Sequence, residues 1–187
     1  MAAMHSRMVD LGIPIPSFAL PNANPLLDVD RVSDEDLRDA DVLVVIFTCN
    51  HCPYARHIEH ALVELASSYD PADVAFVAVC SNDAERYPAD SFDAMRQRAE
   101  DIGLPFPYLH DETQEVALRF DAACTPDIFV FGSDRSLAYR GRFDETRPGG
   151  QTAHGGDLKD AIDRLRKGRP AHPDQRPAIG CSIKWKS

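Results

Sequence analysis

The sequence has no hydrophobic run that approaches the length of a membrane span, and its start, Met1 to Arg7, has no apolar core like that of a signal peptide. Basic residues are outnumbered as well: 20 Lys and Arg stand against 30 Asp and Glu, so the formal net charge is −10. This charge argues against nucleic acid or an anionic membrane as a partner. We expect a cytoplasmic protein.

Internal repeats and low-complexity tracts are also lacking. The 187 residues are 44% hydrophobic and 27% charged, which is the composition of an ordinary globular protein. A chain of this length can bury a full core without help from disulfides or metals. We therefore predict one domain over residues 1–187, with an extended, proline-containing arm at 1–35 and a tail at 169–187.

Cysteine is scarce, with five residues, and only Cys49 and Cys52 form a Cys-x-x-Cys pair. Zinc sites that begin with such a pair normally need a second one, and the sequence offers only the separate Cys80, Cys124 and Cys181. In a reducing compartment a lone pair is more typical of catalysis than of a structural disulfide. The sequence thus favours a redox site over a metal site, and we predict no bound metal and no cofactor.

The pair follows an apolar run, Val42 to Phe47, that predicts a strand buried on both faces. After Pro53, apolar residues recur with the 3.6-residue period of a helix as far as Leu65. The two cysteines are therefore expected where a buried strand gives way to a helix.

The expected location gives the two thiols different roles. A helix N-terminus carries free N–H groups and a partial positive charge, which favour a thiolate over a thiol. His51 adds a candidate cation between the two cysteines. Both effects predict a lowered pKa for Cys49, which makes it the nucleophile. Cys52, expected one turn into the helix and less exposed, is predicted to resolve a mixed disulfide.

The rest of the chain alternates predicted strands and helices. The strands are Val74 to Val79, Tyr108 to His110, Asp127 to Phe131 and Leu137 to Phe143, and the helices are Pro88 to Ile102, Asp111 to Phe120 and a last helix capped by Asp157. This order predicts an α/β fold with a central mixed β-sheet and helices on both faces. On the last strand, Arg140 and Arg142 are expected to point outward.

Six short motifs together resemble one family. They are Cys49 to Tyr54, Ser81 to Asp83, Phe106 to Leu109, Cys124 to Asp127, Tyr139 to Asp144 and Ile179 to Lys186. As a set they look like the peroxiredoxin-like 1 group of the thioredoxin-fold superfamily, whose members are labelled thioredoxin-family proteins or relatives of alkyl hydroperoxide reductase and thiol-specific antioxidant. The resemblance covers nearly the whole chain. It implies a thioredoxin-like fold of the peroxiredoxin-like branch and an antioxidant role in cell redox homeostasis.

The same resemblance assigns roles to residues far from the pair. Thr125 and Pro126 correspond to the cis-proline loop that faces the redox pair and binds the substrate backbone. Cys124 would then lie near Cys49, and Cys181 is placed in a tail able to reach the site. Both are candidate third thiols.

The sequence departs from two related reaction types. Peroxiredoxins carry Pro-x-x-x-Thr before their peroxidatic cysteine and an arginine later, whereas Val45, Cys49 and Pro126 occupy those positions here. Thioredoxins keep a tryptophan before the pair and a buried acid in the preceding strand, where this chain has Thr48 and Leu43. We therefore expect slow peroxide reduction and no buried acid of the thioredoxin type.

The leading hypothesis is a thiol-disulfide oxidoreductase in which Cys49 attacks a disulfide of a protein or small molecule and Cys52 resolves it. Another thiol protein or glutathione would supply the electrons, and a homodimer is compatible with the sequence. One alternative is a peroxiredoxin-like antioxidant enzyme that reduces peroxides through a sulfenate on Cys49. A second is a metal-binding or metal-delivery module that uses Cys49, Cys52 and His51.

Overall fold

The computed structural model describes residues 3–187. Within them the strands are β1 Ala3–His5, β2 Ala19–Pro21, β3 Arg31–Ser33, β4 Val42–Phe47, β5 Val74–Cys80, β6 Tyr108–His110, β7 Cys124–Thr125, β8 Asp127–Phe131, β9 Leu137–Gly141 and β10 Ile179–Ser182. The α-helices are α1 Pro53–Ser67, α2 Phe92–Ile102, α3 Glu115–Arg119 and α4 Gly156–Arg166. Short 3-10 helices cover Glu35–Leu37 and Pro88–Asp90. Across residues 3–187, no helix has both the length and the hydrophobicity needed to cross a membrane.

The central sheet has five strands in the order β6-β5-β4-β8-β9. β5 is parallel to both β4 and β6, whereas β8 is antiparallel to both β4 and β9. The predicted α/β fold with a central mixed sheet is therefore confirmed. Because β4 lies in the middle, the link that carries the two cysteines leaves from the centre of the sheet.

Both faces of β4 are buried because different elements cover them. Val44 and Ile46 belong to a core that also contains apolar residues of α1, α2 and α4. Leu43 and Val45 face a second core, built with residues of β2, β3 and α3. Every side chain of β4 is thus buried, which explains why the run shows no polar alternation.

A second sheet of three strands, in the order β1-β10-β7, joins the two ends of the chain. β10 pairs antiparallel with β1 on one side and with β7 on the other. Helix α1 packs against β10 as well. Segments that the sequence assigns to an arm and a tail therefore meet beside the loop that precedes β8.

Two predicted helices begin later than expected. The segment from Pro88 is first a 3-10 turn, and α2 starts only after Ser91, which has an extended backbone and accepts the N–H of Ala94 as an N-cap. Helix α3 begins at Glu115, because Gln114 has a left-handed backbone with φ of 65° that interrupts any helix started at Asp111.

Two further boundaries near the C-terminus differ from the prediction. Helix α4 is capped by Gly155, whose φ of 69° favours glycine, so Asp157 lies in the first turn and is not the cap. Strand β9 ends at Gly141, two residues short of the predicted end at Phe143.

Candidate active site

The two cysteines lie on the short link between β4 and α1. Pro53 is the first residue of α1, a position that suits its fixed φ, and Cys52 is the N-cap with an extended backbone. Cys49 lies upstream of this cap. The prediction that Cys52 lies one turn into the helix is therefore wrong. Cys52, rather than Cys49, is the residue at the helix start, where the free N–H groups lie.

Both thiols are buried: Cys49 is 4% exposed and Cys52 0%. Thr125 contacts both of them. Its Oγ1 lies 3.4 Å from Cys49 Sγ, and its carbonyl oxygen accepts the Cys52 S–H at an S···O distance of 3.0 Å. The Thr125–Pro126 peptide bond is cis. The structure thus brings together the Cys-x-x-Cys pair and the loop assigned to it by resemblance.

The two cysteine side chains shift each other's pKa in opposite directions. The interaction with Cys49 lowers the pKa of Cys52 to about 4 despite burial, and interactions with Cys181 and Thr125 act in the same direction. The same interaction, followed by burial and the charge of Asp90, raises the pKa of Cys49 well above its usual range. The expected lowering of the Cys49 pKa is therefore wrong. These directions favour Cys52 over Cys49 as the thiolate of the reduced pair.

Ionisation of Cys52 has one local cost. The thiol form donates to the Thr125 carbonyl at 3.0 Å, and the thiolate has no proton to donate. The donors around the sulfur offset this loss, because hydrogen bonds to a charged group are stronger than those to a neutral one.

A buried carboxylate lies beside the pair, but it comes from a different segment than the preceding strand, where Leu43 stands in place of the thioredoxin acid. Asp90 is 0% exposed and accepts hydrogen bonds from the Asn50 N–H at 2.8 Å and from Asn82 Nδ2 at 2.8 Å. His51 Nδ1 lies 2.6 Å from the same carboxylate, and its ring stacks on Tyr87 with centroids 5.3 Å apart. No spacing rule in the sequence connects Asp90 to the cysteines, since it comes from the turn before α2.

Three potential metal ligands meet at this point. Cys49, His51 and Asp90 place one ligand atom each within 4.8 Å of one another. The set differs from the predicted Cys49, Cys52 and His51. His51 Nδ1 and Asp90 already satisfy each other, and of the imidazole atoms only Nε2 is buried without a partner among residues 3–187. The donor set is therefore explained as a hydrogen-bonded network, and a metal would have to disrupt it.

The two candidate third thiols have different surroundings. Cys181 lies opposite Thr125 in the pairing of β10 with β7, and its interaction with Cys52 raises its own pKa and lowers that of Cys52. The Cys124 sulfur instead contacts the Pro126 carbonyl oxygen at 3.5 Å, and burial raises the pKa of this thiol. The structure therefore brings Cys181, and not Cys124, into contact with the redox pair.

Strand β10 occupies the backbone edge that the cis-proline loop would offer to a substrate. Cys181 pairs with Thr125 in an antiparallel register. A Cβ on Gly180 would lie 2.0 Å from the Thr125 carbonyl oxygen, so only glycine permits this close approach. The predicted binding of a substrate backbone at Thr125 and Pro126 is therefore blocked in this conformation by the chain's own C-terminal strand.

An ion pair is buried beneath the same loop. Arg140, which is predicted to point outward, has a side chain that is 0% exposed. Its Nη2 donates to Asp127 Oδ2 at 3.0 Å, and its guanidinium carbon lies 4.1 Å from the centroid of the Phe129 ring. The same carboxylate oxygen accepts the Ala123 N–H at 3.0 Å. Burial raises the pKa of Asp127 to about 6, although Arg140 opposes the shift. The outward prediction for Arg140 is wrong because the chain after α3 covers this part of β9, where its guanidinium donates to a backbone carbonyl.

A narrow cavity of about 30 Å³ borders Cys49 between α1 and α2. Its wall contains apolar side chains and also Arg98, whose Nε donates to Glu59 at 2.8 Å. Cys52 is not among the residues of this wall. Of the two thiols, Cys49 is therefore the one with a small open space beside its sulfur.

The mixed sheet, the Cys-x-x-Cys pair at the start of α1 and the adjacent cis-proline loop define a thioredoxin-like protein. Residues 11–140 match the AhpC/TSA family, so the chain belongs to this family. Both findings make it a redox protein of the thioredoxin-like superfamily. A search of the curated proteins finds no match.

Solved structures extend the comparison over the whole chain. An uncharacterised conserved protein from Geobacillus kaustophilus is 49% identical with a TM-score of 0.94, covering 100% of this chain and 97% of that one. A hypothetical protein from Sinorhizobium meliloti 1021 is 37% identical with a TM-score of 0.93, covering 98% of each chain. Peroxidoxin BcpB from Mycobacterium tuberculosis shares the fold at 17% identity and a TM-score of 0.63, with 87% of this chain and 99% of that one covered.

Proposed function

We propose that the protein is a thiol-disulfide oxidoreductase of a reducing compartment such as the cytoplasm, in which Cys49 and Cys52 alternate between dithiol and disulfide. The observation that carries the proposal is the contact of Thr125 with both sulfur atoms, its Oγ1 3.4 Å from Cys49 Sγ and its carbonyl oxygen 3.0 Å from Cys52 Sγ. The two cysteine side chains also shift each other's pKa, as neighbouring thiols do.

Cys49 is proposed as the thiol that meets the substrate, because it is the member of the pair that borders the cavity. It attacks one sulfur of a disulfide RSSR while its proton passes along the hydrogen bond to the Cys52 thiolate. The substrate S–S bond breaks, a mixed disulfide forms on Cys49, and RS⁻ leaves. This assignment keeps the predicted order of the two cysteines but gives it a different cause, since Cys52 serves first as the base.

Cys52 then resolves the mixed disulfide. It gives up the proton it received, attacks the Cys49 sulfur and releases the second half of the substrate as a thiolate. Two electrons have passed from the cysteine pair to RSSR. The substrate leaves as one thiol, which takes the single proton, and one thiolate. The protein now holds a Cys49–Cys52 disulfide. A second thiol compound, either another thiol protein or glutathione, returns the pair to the reduced form.

His51 and Asp90 are proposed to act on the proton of Cys49. The Asp90 charge raises the pKa of Cys49, so this thiol keeps its proton until Cys52 accepts it. His51 is held by Asp90 and Tyr87 with Nε2 buried and unpaired within the described part of the chain. Asp90 is thus a positioning residue, which holds the imidazole and acts on the Cys49 thiol through its charge.

The limited access of a substrate to the two thiols indicates which class of disulfide the site accepts. The two thiols are almost fully buried, the edge of Thr125 is already paired with β10, and the cavity beside Cys49 has about 30 Å³. These features favour a small disulfide, whose sulfur-bearing end enters the cavity, over an extended protein segment.

Single cysteine variants test the proposal. In a coupled assay with glutathione as donor and a small disulfide as substrate, Cys49→Ser should abolish reduction, and Cys52→Ser should accumulate a mixed disulfide on Cys49 that mass spectrometry detects. Cys80→Ala is the matched control, because Cys80 is an equally buried thiol at the end of β5. Full activity in Cys49→Ser, or substrate trapped on Cys52 rather than Cys49, would contradict the proposed order.

Peroxide reduction is a second candidate, favoured by membership of the AhpC/TSA family and by a cavity with room for a molecule as small as hydrogen peroxide. A thiolate would attack the O–O bond, water would leave, and the other cysteine would condense with the sulfenate to give the same disulfide and a second water. Arg98 in the cavity wall is already paired with Glu59, so few free donors face the leaving oxygen. Stopped-flow oxidation of the reduced protein by hydrogen peroxide, compared with free cysteine, should be slow; a rate far above that of free cysteine would favour the peroxidase.

A further inference from the structure

Cys52 has a second sulfur neighbour besides Cys49. Cys181 pairs with Thr125, whose carbonyl oxygen accepts the Cys52 S–H at 3.0 Å, and all three cysteines lie in the same buried cluster. The interaction with Cys181 also lowers the pKa of Cys52, as expected of a neighbouring thiol. A disulfide from Cys52 to either neighbour forms when the two sulfur atoms approach to about 2.0 Å.

Cys181 is held in this place by backbone pairing. It lies between two strands, opposite Thr125 on β7 and opposite Ala3 on β1. The next ladder contact, from the Ile183 N–H to the Ala123 carbonyl at 3.1 Å, fixes β10 against the loop before β8. The close packing of Gly180 on the Thr125 carbonyl sets the distance of β10 from the redox pair. The position of the third sulfur is thus built into the small sheet.

We propose that Cys181 is a third redox thiol, which attacks Cys52 in the Cys49–Cys52 disulfide and forms a Cys52–Cys181 disulfide. The inference rests on the proposed function, because in the wild type the oxidation reaches Cys52 through the Cys49–Cys52 disulfide. The Cys49–Cys52 bond breaks, the Cys52–Cys181 bond forms, and Cys49 leaves as a thiolate that takes the proton given up by Cys181. No external oxidant is consumed, because the two-electron oxidation only moves within the protein.

The environment of Cys181 changes when the pair is oxidised. In the reduced protein, burial and then the hydrogen bond to the Cys52 thiolate and its charge raise the pKa of Cys181 to about 12. A disulfide at Cys52 carries no charge, so those last two effects disappear, while the nearby Lys184 continues to favour the thiolate. Oxidation of the pair therefore makes Cys181 a better nucleophile. The product links β10 covalently to the start of α1 and returns Cys49 to the thiol form.

Tryptic peptides distinguish the two disulfides. Cys49 and Cys52 share the peptide 39–56, and Cys181 lies in the peptide 168–184, since neither Arg169 nor Arg176 is cleaved before proline. The reduced full-length protein is oxidised with a glutathione redox buffer, blocked with N-ethylmaleimide and mapped without reduction. We expect a cross-link between the two peptides, with Cys49 alkylated and Cys52 protected.

Variants separate this inference from the proposed function. In Cys49→Ser the cross-link should persist as Cys52–Cys181, and in Cys52→Ser it should be lost. Cys181→Ser and Cys181→Ala should retain only the Cys49–Cys52 disulfide. Cys124→Ala is the matched control, because Cys124 lies on the neighbouring strand with its sulfur against Pro126, and its cross-link should equal that of the wild type.

The possible outcomes distinguish failure of the third-thiol inference from failure of the proposed function. A normal Cys49–Cys52 disulfide in the wild type, with no cross-link to 168–184 in either the wild type or Cys49→Ser, would overturn the third-thiol role and leave the proposed function standing. A cross-link carried by Cys49 in place of Cys52 would also overturn it. Absence of the Cys49–Cys52 disulfide in Cys181→Ser would instead count against the proposed function.

Discussion

The five-stranded sheet and the three-stranded sheet serve different purposes in this molecule. Strands β4 and β5 contain six and seven residues, all buried, and helices cover both sides of them. Strands β7, β10 and β1 contain two, four and three residues, drawn from distant parts of the chain, and β1 is exposed throughout. The large sheet buries most of the core, whereas the small one carries Thr125 and Cys181 and covers the Cys49–Cys52 pair.

This difference separates stability from reactivity. Apolar burial in the large sheet contributes to folding without involving the thiols. The small sheet has few backbone hydrogen bonds, yet its register sets which sulfur and carbonyl atoms surround Cys52. A substitution in the large sheet should therefore change the free energy of unfolding, and one in the small sheet should change the thiol chemistry.

The largest effect is expected where the two sheets join, at the buried pair Asp127–Arg140. Arg140→Ala leaves the Asp127 carboxylate buried without its partner, which should lower the free energy of unfolding by about 3–5 kcal/mol. Denaturant unfolding at neutral pH measures this loss. Adding Asp127→Asn should recover part of it, because the uncompensated charge is removed. A loss in Arg140→Ala below about 1 kcal/mol would contradict the structural role of the pair.

The same pair predicts a pH dependence with a definite sign. Burial raises the pKa of Asp127 from 3.8 to about 6, so the folded protein binds this proton more tightly than the unfolded chain does. The stability that the proton confers is present below about pH 4 and is lost as the pH rises through about 6. Without Arg140 the carboxyl becomes still harder to ionise. The destabilisation of Arg140→Ala should therefore be smaller at about pH 4 than at neutral pH, and an opposite trend would exclude Asp127 as the cause.

A cavity in the large sheet should affect stability alone. Leu43 is 0% exposed at the start of β4, away from the cysteines, and Leu43→Ala should cost about 2–5 kcal/mol in denaturant unfolding. Leu118→Ala is the control, since Leu118 is 65% exposed on α3 and should change stability by about 0.5 kcal/mol or less. The folded Leu43→Ala protein should keep the thiol pKa values of the wild type. A changed Cys52 pKa would mean that the two sheets are not independent.

The small sheet is tested by Gly180→Ala. The added Cβ cannot remain 2.0 Å from the Thr125 carbonyl oxygen, so β10 must move and Cys52 loses its hydrogen bond from Cys181. A hydrogen bond to a charged group contributes about 1.5–3 kcal/mol, so the pKa of Cys52 should rise by about one to two units. Thiolate absorbance measures the shift. Gly132→Ala is the control, because its Cβ would meet only a flexible Asp134 oxygen at 3.3 Å; equal shifts in both variants would exclude the register of β10 as the cause.

The smallest effect is expected from Asp90→Asn. The Asp90 charge is a lesser cause of the raised Cys49 pKa, after the hydrogen bond to Cys52 and burial, so its removal should lower that pKa only modestly. The pH dependence of Cys49 alkylation in the Cys52→Ala background reports the shift. Asp93→Asn, an exposed neighbour in the first turn of α2, should leave it unchanged. An increase in the Cys49 pKa would reverse the role assigned to Asp90.

Much of the large sheet is predictable from the sequence, because uninterrupted apolar runs leave few alternatives to buried strands. The position of the Cys-x-x-Cys pair between strand and helix follows from the same runs. The apolar runs do not reveal which cysteine is the thiolate. A shift of the helix start by one turn would exchange the positions of the two thiols relative to that start. Here that start depends on Pro53, the first residue of α1, which makes Cys52 the N-cap.

The surroundings of the pair are harder to predict because they depend on contacts between distant segments. Nothing in the spacing of Asp90 or Cys181 connects them to Cys52, since one comes from a turn and the other from a tail. The alternation of side chains along β9 predicts that Arg140 points to solvent. The chain that follows α3 covers this face of the strand, which is visible only in the folded structure. Buried polar groups are recognised by their partners, and partners are known only once the fold is known.

The central claim is that Cys52 holds the thiolate of the reduced pair, stabilised by Cys49. Thiolate absorbance of the reduced protein, titrated from acid to neutral pH, tests it most directly. The wild type should show one thiolate that forms near pH 4. In Cys52→Ser this thiolate should be absent, and in Cys49→Ala it should form only at higher pH, because the S–H of Cys49 that stabilises the Cys52 thiolate is removed. A thiolate of low pKa that persists in Cys52→Ser and is lost in Cys49→Ala would contradict the claim and restore Cys49 as the ionised thiol.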